Sequence, residues 1–309
     1  MSHWSTGGLT AALVVVLAAP LAAQAPPPND SLVRYVVRPS AADPTIARFD
    51  APNYVVYAAG VAPAAPLLVF LPGTNGRPAN TTDFADVAAR QGYRVIGLEY
   101  DDVPAVGQLC PRDPDPRCSE DFRRRRIYGE GGYHGIDDAP AESIVSRLTH
   151  LLAALDRDHP AEGWAGYLDG GQPRWSRIAV SGLSQGAGMA AYIATRTPVA
   201  RVILFSSPWD SYGRDRTLAP WVTAGPGATA PERWYAAYHQ REPTADQIAR
   251  AYVALRIPPS HVRAFVLEPA AGGAAAYHPS SVGNGVTPRR ADGTPAYLED
   301  WKLLLGEAR

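Results

Sequence analysis

Ser184 stands in Gly182-Leu183-Ser184-Gln185-Gly186, a G-x-S-x-G string. So short a string arises readily by chance, and its flanks give it weight. An apolar run, 178–180, leads directly into it, and a stretch of small residues, Ala187, Gly188, Ala190 and Ala191, leads out as a helix. A strand–turn–helix of this kind presents a serine at the tip of a sharp turn. The N–H groups of the helix N-terminus then face any negative charge that develops there. The flanking glycines permit the turn and let the helix lie close to the sheet. The chemistry is nucleophilic attack on a carbonyl, provided that a base and an acid come from elsewhere.

In a strand–elbow–helix serine hydrolase the acid and then the histidine follow the serine in the chain. Of the seven histidines, His3, His134, His150 and His159 precede Ser184. His239 falls at the end of the apolar run 234–238, and His261 at the entry of run 262–267, the wrong edge for a site at the carboxyl ends of parallel strands. His278 lies beyond the exit of that last run, in a Gly-rich loop, and is the candidate base. For the acid, Glu242 follows run 234–238 and precedes a helix. Asp210, after run 201–205, is the alternative. Asp246 falls in a first helical turn, behind a Thr244/Gln247 capping box, and suits the helix dipole instead. The oxyanion donors expected are the N–H groups of Gln185 and of Thr74 in the loop Leu71-Pro72-Gly73-Thr74-Asn75-Gly76, with Asn75 as the alternative to Thr74. An overlapping G-x-G-x-x-A string, Gly186 to Ala191, with Asp210 downstream, imitates a dinucleotide fingerprint. Its first glycine stands too far from the strand end for that role.

Positioning these groups requires alternating strands and helices. Strands are expected at 53–59, 66–71, 93–98, 177–180, 201–205, 234–238 and 262–267, and helices at 82–90, 143–155, 185–196, 244–255 and 296–305. Thr82 is the expected cap of the second-listed strand's following helix. Strands separated by helices imply a mostly parallel sheet covered on both faces. Residues 99–139 read as one long loop, with Arg123–Arg126 as a solvated face. That loop and residues 211–233 are the expected rims of a substrate cleft, which Trp209, Tyr212 and Trp221 could line.

The chain has 309 residues, 29 Lys plus Arg against 30 Asp plus Glu, and a net charge of −1, which argues against a nucleic-acid binder. Residues 9–22 are apolar and end in Ala23-Gln24-Ala25 before three prolines. They read as a secretory signal peptide cleaved after Ala25, leaving residues 26–309 as one domain with no membrane span. In a secreted or periplasmic setting Cys110 and Cys118 are expected to form a disulfide. Asn80-Thr81-Thr82 is a glycosylation sequon by pattern.

The LPGT loop, the GLSQG elbow, the HQREP acid loop and the YHPSS histidine loop occur in that order. Together they resemble the α/β-hydrolase superfamily from about residue 53 onward. Among its members the chain is similar to exported bacterial esterase-like proteins with a G-x-S-Q-G elbow. The stretch GLSQGAGMA also resembles the elbow of secreted polyester depolymerases and feruloyl esterases. Pro72 stands where many relatives carry His, and Glu242 where most carry Asp. The resemblance implies an α/β fold with an eight-stranded, mostly parallel sheet, and a monomer that hydrolyses small or polymeric esters through an acyl-serine, without cofactor or metal. An acyltransferase on the same triad, or a non-catalytic binding protein on the scaffold, are the competing readings.

Overall fold

The structure, a computed structural model, describes residues 1–3 and 31–306 except Gly132, His134 and Asp137. The apolar segment 9–22 and its cleavage site after Ala25 lie outside the described residues. Eight strands form the central sheet: β1 (Leu32–Val37), β2 (Asn53–Ala58), β3 (Leu67–Leu71), β4 (Arg94–Gly97), β5 (Ile178–Leu183), β6 (Arg201–Phe205), β7 (Trp234–His239) and β8 (Val262–Phe265). Their order across the sheet is β1-β2-β4-β3-β5-β6-β7-β8. Only β2 runs against the rest, pairing antiparallel with both β1 and β4. The remaining neighbours are parallel, with Val69 opposite Val180 and Val180 opposite Val202 at the centre. This is the α/β-hydrolase arrangement.

The central strands form because their side chains are apolar on both faces. All five residues of β3 are buried, and all of β6 except Arg201. Alternate residues divide between two layers. Leu68 and Phe70 join Ala179, Ile203, Phe84 and Trp301 on one face, under α1 (Thr82–Arg90) and α6 (Leu298–Leu305). Val69 and Leu71 join Val180, Val202 and Leu204 on the other. That face is covered by α2 (Cys118–Tyr128), α3 (Ile144–Asp158), α4 (Gln185–Arg196) and α5 (Ala245–Ala254). Ser143 caps α3, its hydroxyl accepting from Ser146 N at 3.2 Å.

Four expectations need correction. Residues 99–139 are not one loop. They include α2, whose inward positions are Cys118, Phe122, Arg123, Arg126 and Ile127. Two arginines on the inner face hide the apolar periodicity, which is why the helix is invisible to a hydrophobicity reading. The same two are not solvated. Arg123 forks onto Asp210, at 2.7 and 2.6 Å. Arg126 binds Asp138 at 2.9 Å and the carbonyls of Val103 and Pro104. Only Arg124 and Arg125 of the four face outward. Thirdly, neither Thr82 nor Thr244 caps its helix. Asn284, from the loop after β8, holds the start of α1 through Asp83 N at 3.1 Å and Thr82 Oγ1 at 2.6 Å. Thr244 makes no capping bond, so the expected box with Gln247 does not form. Fourthly, β1 has no counterpart in the expected strands. It is an edge strand, half-buried on alternate residues, and its apolar signal is correspondingly weak.

Cys110 and Cys118 form a disulfide, Cα to Cα 5.5 Å. Both are buried against Phe122 and Val106, so the bridge belongs to the core although the loop between them is partly exposed. A closed loop with a sequence separation of 8 stabilises the fold by about 2–3 kcal/mol through the entropy it removes from the unfolded chain. The double substitution Cys110→Ala/Cys118→Ala is therefore expected to lower the unfolding free energy by that amount. Urea denaturation would show it as a lower midpoint at unchanged slope.

Candidate active site

Ser184 leaves β5 with φ 53° and ψ −117°, a strained conformation that few side chains adopt. Its N–H donates to Phe205 O at 2.9 Å, and its carbonyl accepts from Gly188 N at 3.0 Å, starting α4. The turn is tight because α4 lies directly on the sheet. A Cβ on Gly186 would collide with the carbonyl of Leu71, and one on Gly188 with the guanidinium of Arg123. These two glycines are thus taken up by helix–sheet packing, which disposes of the dinucleotide fingerprint they imitate.

Glu242 lies just beyond β7 in a turn closed by its own N–H donating to His239 O at 3.1 Å. Its carboxylate is fully buried, and its two oxygens have separate partners. Oε1 accepts from His239 N at 3.0 Å and lies 2.9 Å from Ser206 Oγ. Oε2 meets His278 Nδ1. With Nδ1–H turned to Glu242, the lone pair of the neutral imidazole is on Nε2. His278 itself sits between two short 3-10 turns, Gly273–Tyr277 and Pro279–Ser281, and is partly exposed. Its loop is tied to α6 by Trp301 Nε1 donating to Ser281 O at 2.9 Å.

The other candidates fall elsewhere. Asp210 is held by Arg123 and by Trp221 Nε1 at 3.1 Å, away from His278. Asp246 lies in the first turn of α5. His239 Nε2 faces Leu267 O, and its Nδ1 accepts from Arg241 N. His261 contacts Trp234 O at the opposite edge of the sheet. Of the three aromatics considered for the cleft, Trp209 lines one, Trp221 is buried on Asp210, and Tyr212 belongs to a two-residue hairpin strand pairing with Thr217. Ser206, with φ 54° at the end of β6, is a site residue that the sequence did not single out. Its hydroxyl lies 2.9 Å from Glu242 Oε1 and 3.0 Å from His278 O.

The loop after β3 lies against the elbow. A Cβ on Gly73 would stand 3.2 Å from that of Ser184. Residues 99–102 brace this loop. Tyr100 OH donates to Pro72 O at 2.8 Å, and Asp102 accepts from Gly76 N at 3.0 Å and also from Asn75 N. The N–H of Asn75 is therefore engaged, whereas those of Thr74 and Gln185 have no acceptor among the described residues. A cleft of about 270 Å³ opens here, lined by Gly73, Thr74, Leu183, Pro279 and Asn284, the immediate neighbours of Ser184 and His278 among them. Among the described residues no group of three or more His, Cys, Asp or Glu side chains is arranged to hold a metal ion.

Behind the brace two carboxyls are displaced upward. Burial pushes Asp102 to about 6, against the pull of the Asn75 N–H, Arg77 and the Gly76 N–H. Burial pushes Glu99, 1% exposed, to about 7, with Arg77 pulling it down and Asp102 pushing it up. Arg77 Nη1 stands 3.3 Å from Glu99 Oε1, yet neither Glu99 oxygen completes a hydrogen bond. The folded protein thus keeps a proton on Glu99 that the unfolded chain sheds above its ordinary value of 4.5. The stability this supplies is whole below about pH 4.5 and is lost as pH rises through about 7. Glu99→Gln is expected to raise the unfolding free energy at pH 8 by on the order of 2 kcal/mol. At the acid end of the range it should change it little. Urea titrations at both pH values check the difference, and equal effects would refute it.

No protein-family model matches the sequence, and no curated protein matches it. Among solved structures the chain is similar to a bacterial heroin esterase, at 15% identity and a TM-score of 0.45, over 90% of this chain and 84% of that one. It is also similar to esterase 2 of Thermogutta terrifontis, phosphorylated by paraoxon, at 15% identity and a TM-score of 0.46, over 87% of this chain and 91% of that one.

Proposed function

We propose that the protein is a secreted serine hydrolase that cleaves carboxylic esters through an acyl-serine intermediate. The observation that carries this reading is the buried Glu242 carboxylate, fixed through one oxygen and directed through the other at His278 Nδ1. It lies beside a serine held at positive φ on an elbow. The described chain offers no packing reason for a buried glutamate to be oriented onto a partly exposed histidine, whereas a general base needs that orientation.

In the reaction, Ser184 Oγ attacks the ester carbonyl while His278 Nε2 takes its proton. Glu242 stabilises the imidazolium without accepting the proton. The N–H groups of Gln185 and Thr74 receive the oxyanion, each worth about 2.7–4 kcal/mol in the transition state by analogy with other hydrolases. His278 then protonates the departing alcohol, and in the second half activates the water that releases the acid. Export is supported by the apolar segment 9–22 with its small-residue cleavage site, and by the buried disulfide.

A fluorophosphonate probe applied to the mature chain from Pro26 is expected to label the wild type, and neither Ser184→Ala nor His278→Ala. A folded, oxidised wild type that stays unlabelled would overturn the reading. The acid is tested separately. Glu242→Gln should lower kcat about 10³–10⁴-fold on an ester panel while the protein stays folded. Asp210→Asn, which strips the charge from Arg123's only ionic partner among the described residues, should instead cost about 3–5 kcal/mol of stability. Activity lost through Asp210 in a stably folded variant would reverse the assignment.

A further inference from the structure

A second cleft, of about 1130 Å³, opens on the other side of the elbow. Its walls come from the loops after β4, β6 and β7, which leave the sheet at the same edge as Ser184. Gln185 joins it to the site, its Oε1 accepting from Val106 N at 3.2 Å beside the lining residue Gly107. On the opposite wall, the lining residue Thr244 follows two positions after Glu242. Trp209 closes over Gly107 so tightly that any side chain there would strike the indole.

The charged groups that line this cleft are all cationic. Arg112, Arg214 and Arg216 line it, and none of the three guanidinium groups has a carboxylate or hydrogen-bond partner among the described residues. The acids of the nearer loop are otherwise engaged, Asp113 Oδ1 accepting from Asp115 N at 2.9 Å and Asp115 Oδ1 from Arg117 N at 2.8 Å. Asp215 lies at the tip of the short hairpin between two of the arginines but is not among the residues lining the cleft, whose charged members are Arg112, Arg214 and Arg216. Deeper in, Ser211 and Gln247 are only 3% and 6% exposed, and both line the cleft. Ser211 Oγ and Gln247 Nε2 are buried without any hydrogen-bond partner. Each orphaned polar atom costs about 1–3 kcal/mol if nothing meets it. Two such residues line one cavity, beneath three exposed guanidinium groups, and a ligand rich in acceptors suits that lining. A carboxylate, which only accepts, fits that set.

We infer that this cleft is a subsite for a carboxylate carried by the substrate, on the part of the ester remote from the scissile carbonyl. Trp209 supplies the apolar wall for the chain that links the two. The inference rests on the ester-hydrolase reading of the neighbouring site, and it narrows the substrate class to esters bearing a free acid.

Two measurements separate the failure of one reading from that of the other. The first is binding to the full-length mature Ser184→Ala protein, which cannot turn over. Monomethyl adipate should bind at least about tenfold more tightly than methyl hexanoate at low salt, and the advantage should shrink as salt rises. It should vanish in the Arg112→Gln/Arg214→Gln/Arg216→Gln background, with a urea midpoint confirming that this variant is folded. The second is turnover of the mono-4-nitrophenyl ester of adipate against 4-nitrophenyl hexanoate. The wild type should favour the acid through KM. The triple variant should lose that preference while its kcat/KM on the hexanoate stays within about twofold of wild type. Equal binding of the charged and neutral esters would overturn the subsite even if both are hydrolysed. Selective, arginine-dependent binding with no hydrolysis of either ester would keep the anion subsite and remove the hydrolase.

Discussion

Two residues at the carboxyl end of β6 hold the candidate site together. Phe205 O accepts the N–H of Ser184, and so fixes the height of the elbow above the sheet. The next residue, Ser206, turns to positive φ, donates its N–H to Ala237 O in β7, and brings its hydroxyl to both Glu242 and the carbonyl of His278. Ser184, Glu242 and His278 come from three segments spread over almost 100 positions, and each reports to this one strand end. A buried carboxylate with an unfilled lone pair would be free to rotate or to take up a proton. With Oε1 occupied by His239 N–H and Ser206, only Oε2 is left for the histidine. Orientation of the imidazole is therefore decided by neighbours of the acid, not by the histidine loop alone.

The same face of the sheet bears a second buried carboxylate, and its role is different in kind. Asp210 is gripped by Arg123 in a two-point fork with no water-accessible side. Arg123 in turn fills the space left by the missing side chain of Gly188, in the helix that begins at Gln185. Ionic pairs so far from water return little net stability, because desolvation consumes most of the attraction. What they do fix is place. The fork ties α2 to the loop after β6, Arg123 packs α2 against α4 at Gly188, and α2 begins at Cys118, where the disulfide ties it to the loop carrying Gly107 and Arg112. The wall of the large cleft is thereby referred to the nucleophile helix through covalent and ionic links instead of through loop packing.

What was legible in the sequence follows from which signals are local. The elbow was readable because the glycines that permit close packing sit within a few residues of Ser184. His278 was readable because the histidines are few and only one follows the last strand. Glu242 was readable as a position after β7, whereas the contact that separates it from Asp210, which Arg123 holds, was not. Where the signal depends on a distant partner, the sequence is silent or misleading. Four consecutive arginines look like a solvated face, yet Arg123 and Arg126 point inward because Asp210 and Asp138 wait there, 87 and 12 positions away. Ser206 looks like any serine ending a strand. Thr82 and Thr244 carry good capping chemistry, but Asn284 captures the first helix start and the second goes without a side-chain bond.

The two sides of the elbow differ in how they treat charge. Beside Gly73, the loop that offers Thr74 N–H is held from behind by Asp102, a carboxyl near the position where an oxyanion would form. A full negative charge there opposes the oxyanion. Burial raises Asp102 toward neutrality, while Arg77 and two backbone N–H groups keep it from rising further. The brace consequently fixes the loop at some electrostatic cost, engaging the N–H groups of Asn75 and Gly76 while that of Thr74 has no acceptor among the described residues. On the far side no such compromise exists, since the loops present guanidinium groups without partners. A chain whose formal charge is −1 overall nevertheless lines its larger cleft with Arg112, Arg214 and Arg216. The two sides of the elbow thus differ in kind, a loop held from behind by a carboxylate on one and three arginine side chains lining the cleft on the other.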